Sequence, residues 1–439
     1  MARKVFISVL GFSNYSECIY TYNDYKSHNV KFIQEATLEY LMQKEKWQQN
    51  DVAYILFTRE AEIANWLDNG HKNRITNEPI LCKGLCSRLN KMNIPISINA
   101  VSNLPHGNSE DEIWEIFNRV YSLLNDGDEL YFDLTHGFRY LPMLILVLTN
   151  YSKFLKNTIV KSVTYGNFES RNSLNEAPII DLLPLAALQD WTYAAGQYID
   201  SGNPQSLINI SNRKIQPILK ETKGQHIDAQ ALKKFTKLLQ AMVEDFQTCR
   251  GINIINSTNI GDLINVCNSF NSSFISPLSP LFFKIKESLE PFDKNKNTSN
   301  GIAAALWCVN NGLYQQAITI LQESIVSKIC ELEDLEFNNP LSRSLVNKAF
   351  NIYYKSTNEE HWIFDSTLST HEIEEQKSII KRLVINPTLQ KLATPFATST
   401  ELRNDINHAG MRSNPCAATR IKANITAITN EVVKIINNQ

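Results

Sequence analysis

The chain has 439 residues, with 43 Lys+Arg against 45 Asp+Glu and a formal charge of −2. A near-neutral chain of this size has no global basic field with which to coat duplex DNA or an anionic membrane. At 43% hydrophobic and 20% charged, with 15 Gly and 15 Pro, the composition excludes collagenous, disordered and coiled-coil classes, and the length suggests two or three domains.

The opening MARKVFISVLGF has a short β-branched apolar run, Val5 to Leu10, that reads as a buried strand rather than a signal-peptide core. Further strand-like runs follow at Val52–Phe57, Ile94–Val101, Glu129–Leu134, Ile159–Tyr165 and Ile179–Leu182. Between them Phe32–Lys46, Glu60–Leu67, Ile80–Lys91, Glu110–Leu124 and Tyr140–Leu155 carry helical apolar spacing. Nearly continuous apolar strands alternating with helices predict a doubly wound, Rossmann-like α/β domain. After about Leu183 the strand signals stop, and Asp190–Ile199, Ala229–Cys249, Ile260–Phe270, Gly301–Asn310, Gln315–Leu332, Ser342–Tyr354, Ile373–Leu383, Thr400–Ala409 and Ala417–Ile436 favour helix. In the last of these, Ile421, Ile425, Ile428, Val432 and Ile435 form one stripe, a core face or a dimer seam. The polar stretch Lys294–Asn300 is the best internal linker, giving boundaries at 1–184, 185–300 and 301–439. The longest apolar stretch, Leu141–Thr149, is about half of the roughly 20 residues a membrane span needs, so a cytoplasmic protein with no membrane partner is expected. Of eight cysteines, the close pair Cys82 and Cys86 has no partner pair at zinc spacing, and reduced thiols with no metal are expected.

In doubly wound sheets ligands sit outside the carboxyl ends of the strands at a topological switch point. The loops to search are therefore Gly11-Phe12-Ser13-Asn14 after the first strand and Thr135-His136-Gly137-Phe138-Arg139 after the fourth. Gly lets a backbone approach a ligand, while Thr, His and free helix N–H groups offer donors to an anion. Thr135 and His136 read as surface-loop groups. A third loop, Pro105 to Glu110, carries a Ser109-x-x-Glu112 capping-box pattern. Neither a G-x-G-x-x-G turn nor a G-x-x-x-x-G-K-[ST] loop occurs, which disfavours dinucleotide and phosphate-loop sites.

Near the end lies Arg403-Asn404-Asp405-Ile406-Asn407-His408, read as a short helix started by Thr398-x-x-Glu401 and stopped by Gly410 and Pro415. Imidazole relays protons at neutral pH, and guanidinium holds a phosphate and the charge that builds on it. Those are the needs of metal-free RNA cleavage. Five helical steps set the two groups roughly 140° apart around one axis, so convergence would need two copies across a symmetric dimer.

Taken together the residues resemble the CRISPR-associated CARF–HEPN ribonucleases of type III systems. Phe132-Asp133-Leu134-Thr135-His136-Gly137 resembles the family's D-[IL]-T-H-G signature, and Gly107 to Phe117 resembles the segment before it. Trp307 to Ser324 resembles the first HEPN helices, and Arg403-Asn404-x-x-x-His408 resembles the HEPN R-[polar]-x-x-x-H motif. The resemblance implies a CARF domain that binds cyclic oligoadenylate through Gly11 to Asn14 and Thr135 to Arg139, in a homodimer. It implies an all-α HEPN bundle that cuts single-stranded RNA with Arg403, Asn404 and His408, leaving a 2′,3′-cyclic phosphate in antiviral defence. Cyclic tetraadenylate is the expected activator, with the hexaadenylate second, and no cofactor is implied. Arg139 stands where the family often carries Asn, which leaves open ring size and a slow cleavage of the activator by the CARF loops.

Two other readings compete. Asp365-x9-Glu375-Gln376-Lys377 has the D…E-x-K pattern of a metal-dependent nuclease, although His371–Leu383 has helical rather than strand periodicity. A non-catalytic ligand-sensing regulator would need a basic recognition helix, and none stands out. Charge is uneven along the chain: Glu331–Glu375 holds 3 basic and 10 acidic residues, net −7, and Gln376–Gln439 holds 9 and 3, net +6. The basic tail contains Arg403 and His408, enough to hold a few phosphates of a short single strand.

Overall fold

A computed structural model describes residues 2–73, 75–137, 139–268 and 279–438. The chain divides into two units, Met1–Ala187 and Leu188–Gln439. The first holds, in order, β1 (Lys4–Val9), β2 (Cys18–Tyr22), β3 (Tyr25–Val30), α1 (Ile33–Lys44), β4 (Val52–Leu56) and α2 (Arg59–Ala61), which runs into a π-helical turn, Glu62–Trp66. There follow α3 (Leu85–Lys91), β5 (Ser97–Val101), α4 (Glu110–Ser122), β6 (Glu129–Asp133), α5 (Leu141–Lys156), β7 (Ile159–Gly166) and β8 (Glu176–Asp181).

These eight strands form one sheet in the order β3-β2-β8-β7-β6-β1-β4-β5. From β5 to β7 neighbours run parallel, which is the Rossmann order with its switch point between β1 and β6. Alternation along β1 shows why both faces are covered: Val5, Ile7 and Val9 pack with Ile116, Phe117 and Leu144, and Phe6 packs with Phe32, Leu38 and Leu89 on the other side. The β2–β3 hairpin was not expected from the sequence. It turns at Asn23, whose φ of 52° is in the left-handed region that Asn tolerates, and joins the sheet by parallel pairing of β2 with β8.

The remaining described elements are helical. They are α6 (Leu183–Ser201), within which the unit boundary falls, α7 (Gln205–Glu221), α8 (Ile227–Gln247), α9 (Gly251–Ile255), α10 (Ile260–Asn268) and α11 (Ser279–Glu287). Then come α12 (Ser299–Asn310), α13 (Tyr314–Leu332), α14 (Pro340–Lys355), α15 (Thr370–Ile385), α16 (Pro387–Asn407) and α17 (Ala418–Asn437). One apolar core runs from Trp191 to Ile436. The stripe on α17 belongs to it, with Ile425, Ile428 and Val432 buried. The Lys294–Asn300 stretch lies inside this unit as an ordered turn: buried Asn300 accepts from Asp293 N at 2.7 Å, and Asn297 N donates to Ile255 O. Residues 269 and 270 of the expected Ile260–Phe270 helix lie outside the described residues. Among the described residues no helix is long and apolar enough to cross a membrane.

Candidate functional site

At the switch point the carboxyl end of β6 is built on a buried polar chain. Ser8 Oγ donates to Asp133 Oδ2 at 2.6 Å, and Gln34 Nε2 from α1 donates to Ser8 Oγ at 2.9 Å and to Val9 O at 3.0 Å. The hydroxyl of Thr135 donates to the other Asp133 oxygen and accepts from Gly166 N, the latter at 2.7 Å. Burial pushes the Asp133 carboxyl up from its usual range, against the pull of Ser8 and Thr135. Thr135 is thus a structural anchor as well as a loop residue, where the sequence reads as a surface-loop group only.

His136 follows on the loop. Its ring stacks on Tyr15 with centroids 4.1 Å apart and planes 22° from parallel. Part of the residue is exposed, yet Nε2 is buried and has no hydrogen-bond partner among the described residues. Burial pushes the imidazole down to about 4, so it is neutral at physiological pH. It faces a cavity of about 230 Å³ shared with Gly11, Phe12, Thr58 and Tyr140, and a second of about 310 Å³ shared with Ser13, Asn14 and Lys31. Gly137 has φ +129°, and a Cβ there would come 2.8 Å from Leu141, so glycine lets the chain turn tightly into α5.

Phe12, Ser13 and Asn14 are exposed, as is Arg139. Phe138 lies outside the described residues. A Cβ at Gly11 would meet the Tyr15 hydroxyl at 2.3 Å, so a larger residue there would have to move the Tyr15 ring. The sequence pattern missed Asn65, which is buried in the π-helical turn. Its Nδ2 donates to Gly11 O and Ser13 O, both at 2.8 Å, and its Oδ1 meets His71 Nε2 at 2.9 Å. No periodicity distinguishes a buried Asn that braces a loop from one on a solvent face. In the third loop, Ser109 Oγ accepts from Glu112 N at 3.2 Å as expected, while the Glu112 carboxylate takes Asn108 N rather than Ser109 N.

The Arg403 constellation departs from its expected setting. The helix does not start at Thr398, whose hydroxyl instead donates to Thr394 O within α16. Asn386 caps it, accepting from Thr388 N and Leu389 N with Pro387 at the first position. Pro395 lies inside, where it forfeits one helical hydrogen bond while its ring is buried. The helix stops at Ala409 and Gly410, both at positive φ. Arg403 Nη1 donates to Gln322 Oε1 at 2.9 Å and meets Glu323 Oε1 at 3.1 Å, while Nε is buried without a partner among the described residues. Glu323 also pairs with Arg343 at 2.7 Å. Asn404 and His408 are exposed. Within one chain no hydrogen bond joins Arg403 to His408 among the described residues, in keeping with their angular separation.

The D…E-x-K pattern falls apart locally. Glu375 and Lys377 ride on helix α15, Asp365 closes a turn with Thr367, and Lys377 pairs with Glu374 at 2.9 Å. Among the described residues no three His, Cys, Asp or Glu side chains gather as a metal site.

Comparison with known proteins places the first unit. Residues 5–169 match the family model described as CRISPR system endoribonuclease Csx1, CARF domain. The CRISPR-associated protein MJ1674 of Methanocaldococcus jannaschii is 26% identical over 309 residues, which are 69% of this chain and 45% of that protein. The match thus spans less than half of that relative's length. The structure of Enterococcus italicus Csm6 bound to cyclic hexa-2′-fluoro-hexa-dAMP aligns over 100% of this chain and 94% of that one, at 11% identity and a TM-score of 0.42.

Proposed function

We propose that this chain, a CARF-containing protein of the type III CRISPR systems, is a metal-independent endoribonuclease switched on by cyclic oligoadenylate. The observation that carries the sensor half is His136 at the β1/β6 switch point, its Nε2 buried without a hydrogen-bond partner among the described residues, inside the segment that matches the CARF model. An imidazole kept neutral by burial offers one donor or acceptor to a ligand without a competing charge. The cavities on either side hold apolar walls for a base and small polar groups for a ribose or phosphate. Cyclic tetraadenylate is the activator we favour, with the hexaadenylate second.

The effector half rests on Arg403, Asn404 and His408, which lie in a C-terminal segment, residues 376–439, of net charge +6. A ribose 2′-oxygen attacks its own phosphate and gives its proton to a His408 imidazole. A protonated group returns a proton to the departing 5′-oxygen, and the cut leaves a 2′,3′-cyclic phosphate. Arg403 stabilises the charge on the pentacovalent phosphorus. Two copies are needed to bring an Arg403 and a His408 together. An apolar stripe on α5 supports a homodimer: Met143, Val147 and Phe154 fall on one line and are 73%, 50% and 86% exposed. A His136→Ala variant tests the sensor: it should keep its melting temperature and lose activation of RNA cleavage by either ring. Undiminished activation would remove His136 from the site.

A further inference from the structure

Lys31, between β3 and α1, is a feature of the first unit that its own packing leaves unexplained. Only 8% of the residue is exposed, and a buried ammonium is costly unless a carboxylate or several oxygens face it. Among the described residues the hydrogen-bond acceptor of Nζ is the Cys82 sulfur at 3.7 Å, a weak one, and the Phe32 ring lies 5.7 Å away. The neighbouring carboxylates are already engaged. Glu17 and Glu35 face Arg88 at 2.9 and 3.5 Å, and Asp68 holds Lys83 at 2.6 Å. Glu169 lines the same cavity from an exposed position, with no ion pair to Lys31 among the described residues. The positive charge also registers on His71, whose imidazole is pushed down by burial first and by Lys31 second.

Lys31 borders two spaces. One is the cavity of about 310 Å³ that also holds His136, Thr135 and Ser13; the other is an open groove of about 740 Å³ with Lys83, Arg88 and Lys91 on its rim. Tyr15 lines both. Buried Lys31 and His136, whose Nε2 has no hydrogen-bond partner among the described residues, thus line one small cavity.

We propose that Lys31 is a ligand-binding residue of the sensor, neutralising one internucleotide phosphate in the cavity it shares with His136. The inference rests on the reading of this unit as a cyclic oligoadenylate sensor and names the charge that the ligand meets there. A phosphodiester supplies what the fold withholds: a full negative charge and two oxygens for an ammonium already desolvated. The unliganded protein bears the cost of the bare charge, and the ligand removes it.

The test measures binding of cyclic tetraadenylate and cyclic hexaadenylate to full-length wild type, Lys31→Met and Lys31→Arg, together with the unliganded melting temperatures. Loss of one charge-assisted bond should weaken ring binding about 10- to 100-fold in Lys31→Met and flatten its dependence on salt. Lys31→Arg should stay within several-fold of wild type. Unliganded Lys31→Met should melt at the wild-type temperature or above it, an outcome opposite to that of a merely structural lysine. Wild-type affinity in Lys31→Met would overturn the inference and leave the sensor reading standing; so would a fall in melting temperature that Lys31→Gln shares. If neither ring binds wild type, the sensor reading fails, and inorganic pyrophosphate decides the inference. A rise in wild-type melting temperature that Lys31→Met lacks sustains an anion site, and no rise overturns it.

Discussion

Ser8 on β1 and Asp133 on β6 meet across the switch point, the hydroxyl donating to a buried carboxyl oxygen at 2.6 Å. The bond ties together the two strands whose loops hold Gly11 and His136. With Gln34 on one side and Thr135 on the other, it forms a continuous polar support beneath the cradle. The residues proposed to face a ligand therefore stand on a scaffold already formed in the unliganded fold.

Ser8→Ala removes a donor from a buried carboxyl that has few alternatives. The expected cost is about 1–3 kcal/mol of stability, read as a lower denaturant midpoint with an unchanged slope. An unaltered midpoint would mean that Thr135 alone satisfies the group.

Gly137→Ala places a methyl 2.8 Å from Leu141 at a φ of +129°. The backbone term alone is of order 1–3 kcal/mol. The variant should lose melting temperature and ring affinity together. Gly127→Ala is a fair comparison for left-handed strain alone, since its φ is +74° with nothing within 4 Å of the added carbon.

Asn65→Ala should loosen the Gly11–Ser13 loop by removing two donors at 2.8 Å. Ring affinity should fall about tenfold or more, and hydrogen exchange should rise in residues 11–16. Leaving both unchanged would show that Tyr15 stacking on His136 is sufficient to hold the loop.

His136 gives the fold a pH dependence of known sign. Its imidazole titrates near 4 when folded and near 6.5 when unfolded, so the unfolded chain binds the extra proton between those values. The resulting stability is full above about pH 6.5 and is lost as pH falls toward 4, by at most about 3 kcal/mol. Asp133, raised by burial, works in the opposite direction within its own window. The difference between wild type and His136→Gln isolates the histidine: the variant should show a shallower loss of melting temperature from pH 6.5 to 4.5. Parallel profiles would refute it.

The parallel strands and crossover helices were legible because a sheet buried on both faces needs apolar runs such as Val5–Leu10. The β2–β3 hairpin was not: Lys26, His28 and Asn29 sit among its residues at a sheet edge, and polar edge strands lack the burial that writes a pattern. The position of the Gly11–Asn14 and Thr135–Arg139 loops at the switch point was legible from the strand order alone. Asn65 and Lys31 were not, because what distinguishes them is burial against partners distant in sequence. The Arg403 helix reads as short from sequence because Thr398-x-x-Glu401 has the pattern of a helix start. Burial of the Pro395 ring and capping at Asn386 override that local signal.

The most direct test of the central claim is cleavage of fluorescent single-stranded RNA in EDTA, with and without cyclic tetraadenylate or hexaadenylate, by wild type, His408→Ala and Arg403→Ala. The account expects ring-dependent cutting by wild type that persists in EDTA and ends in a 2′,3′-cyclic phosphate. His408→Ala should lower the rate about 10²- to 10⁴-fold with ring binding intact. Ring-dependent cleavage that survives His408→Ala, or an absence of cleavage with either ring bound, would contradict it.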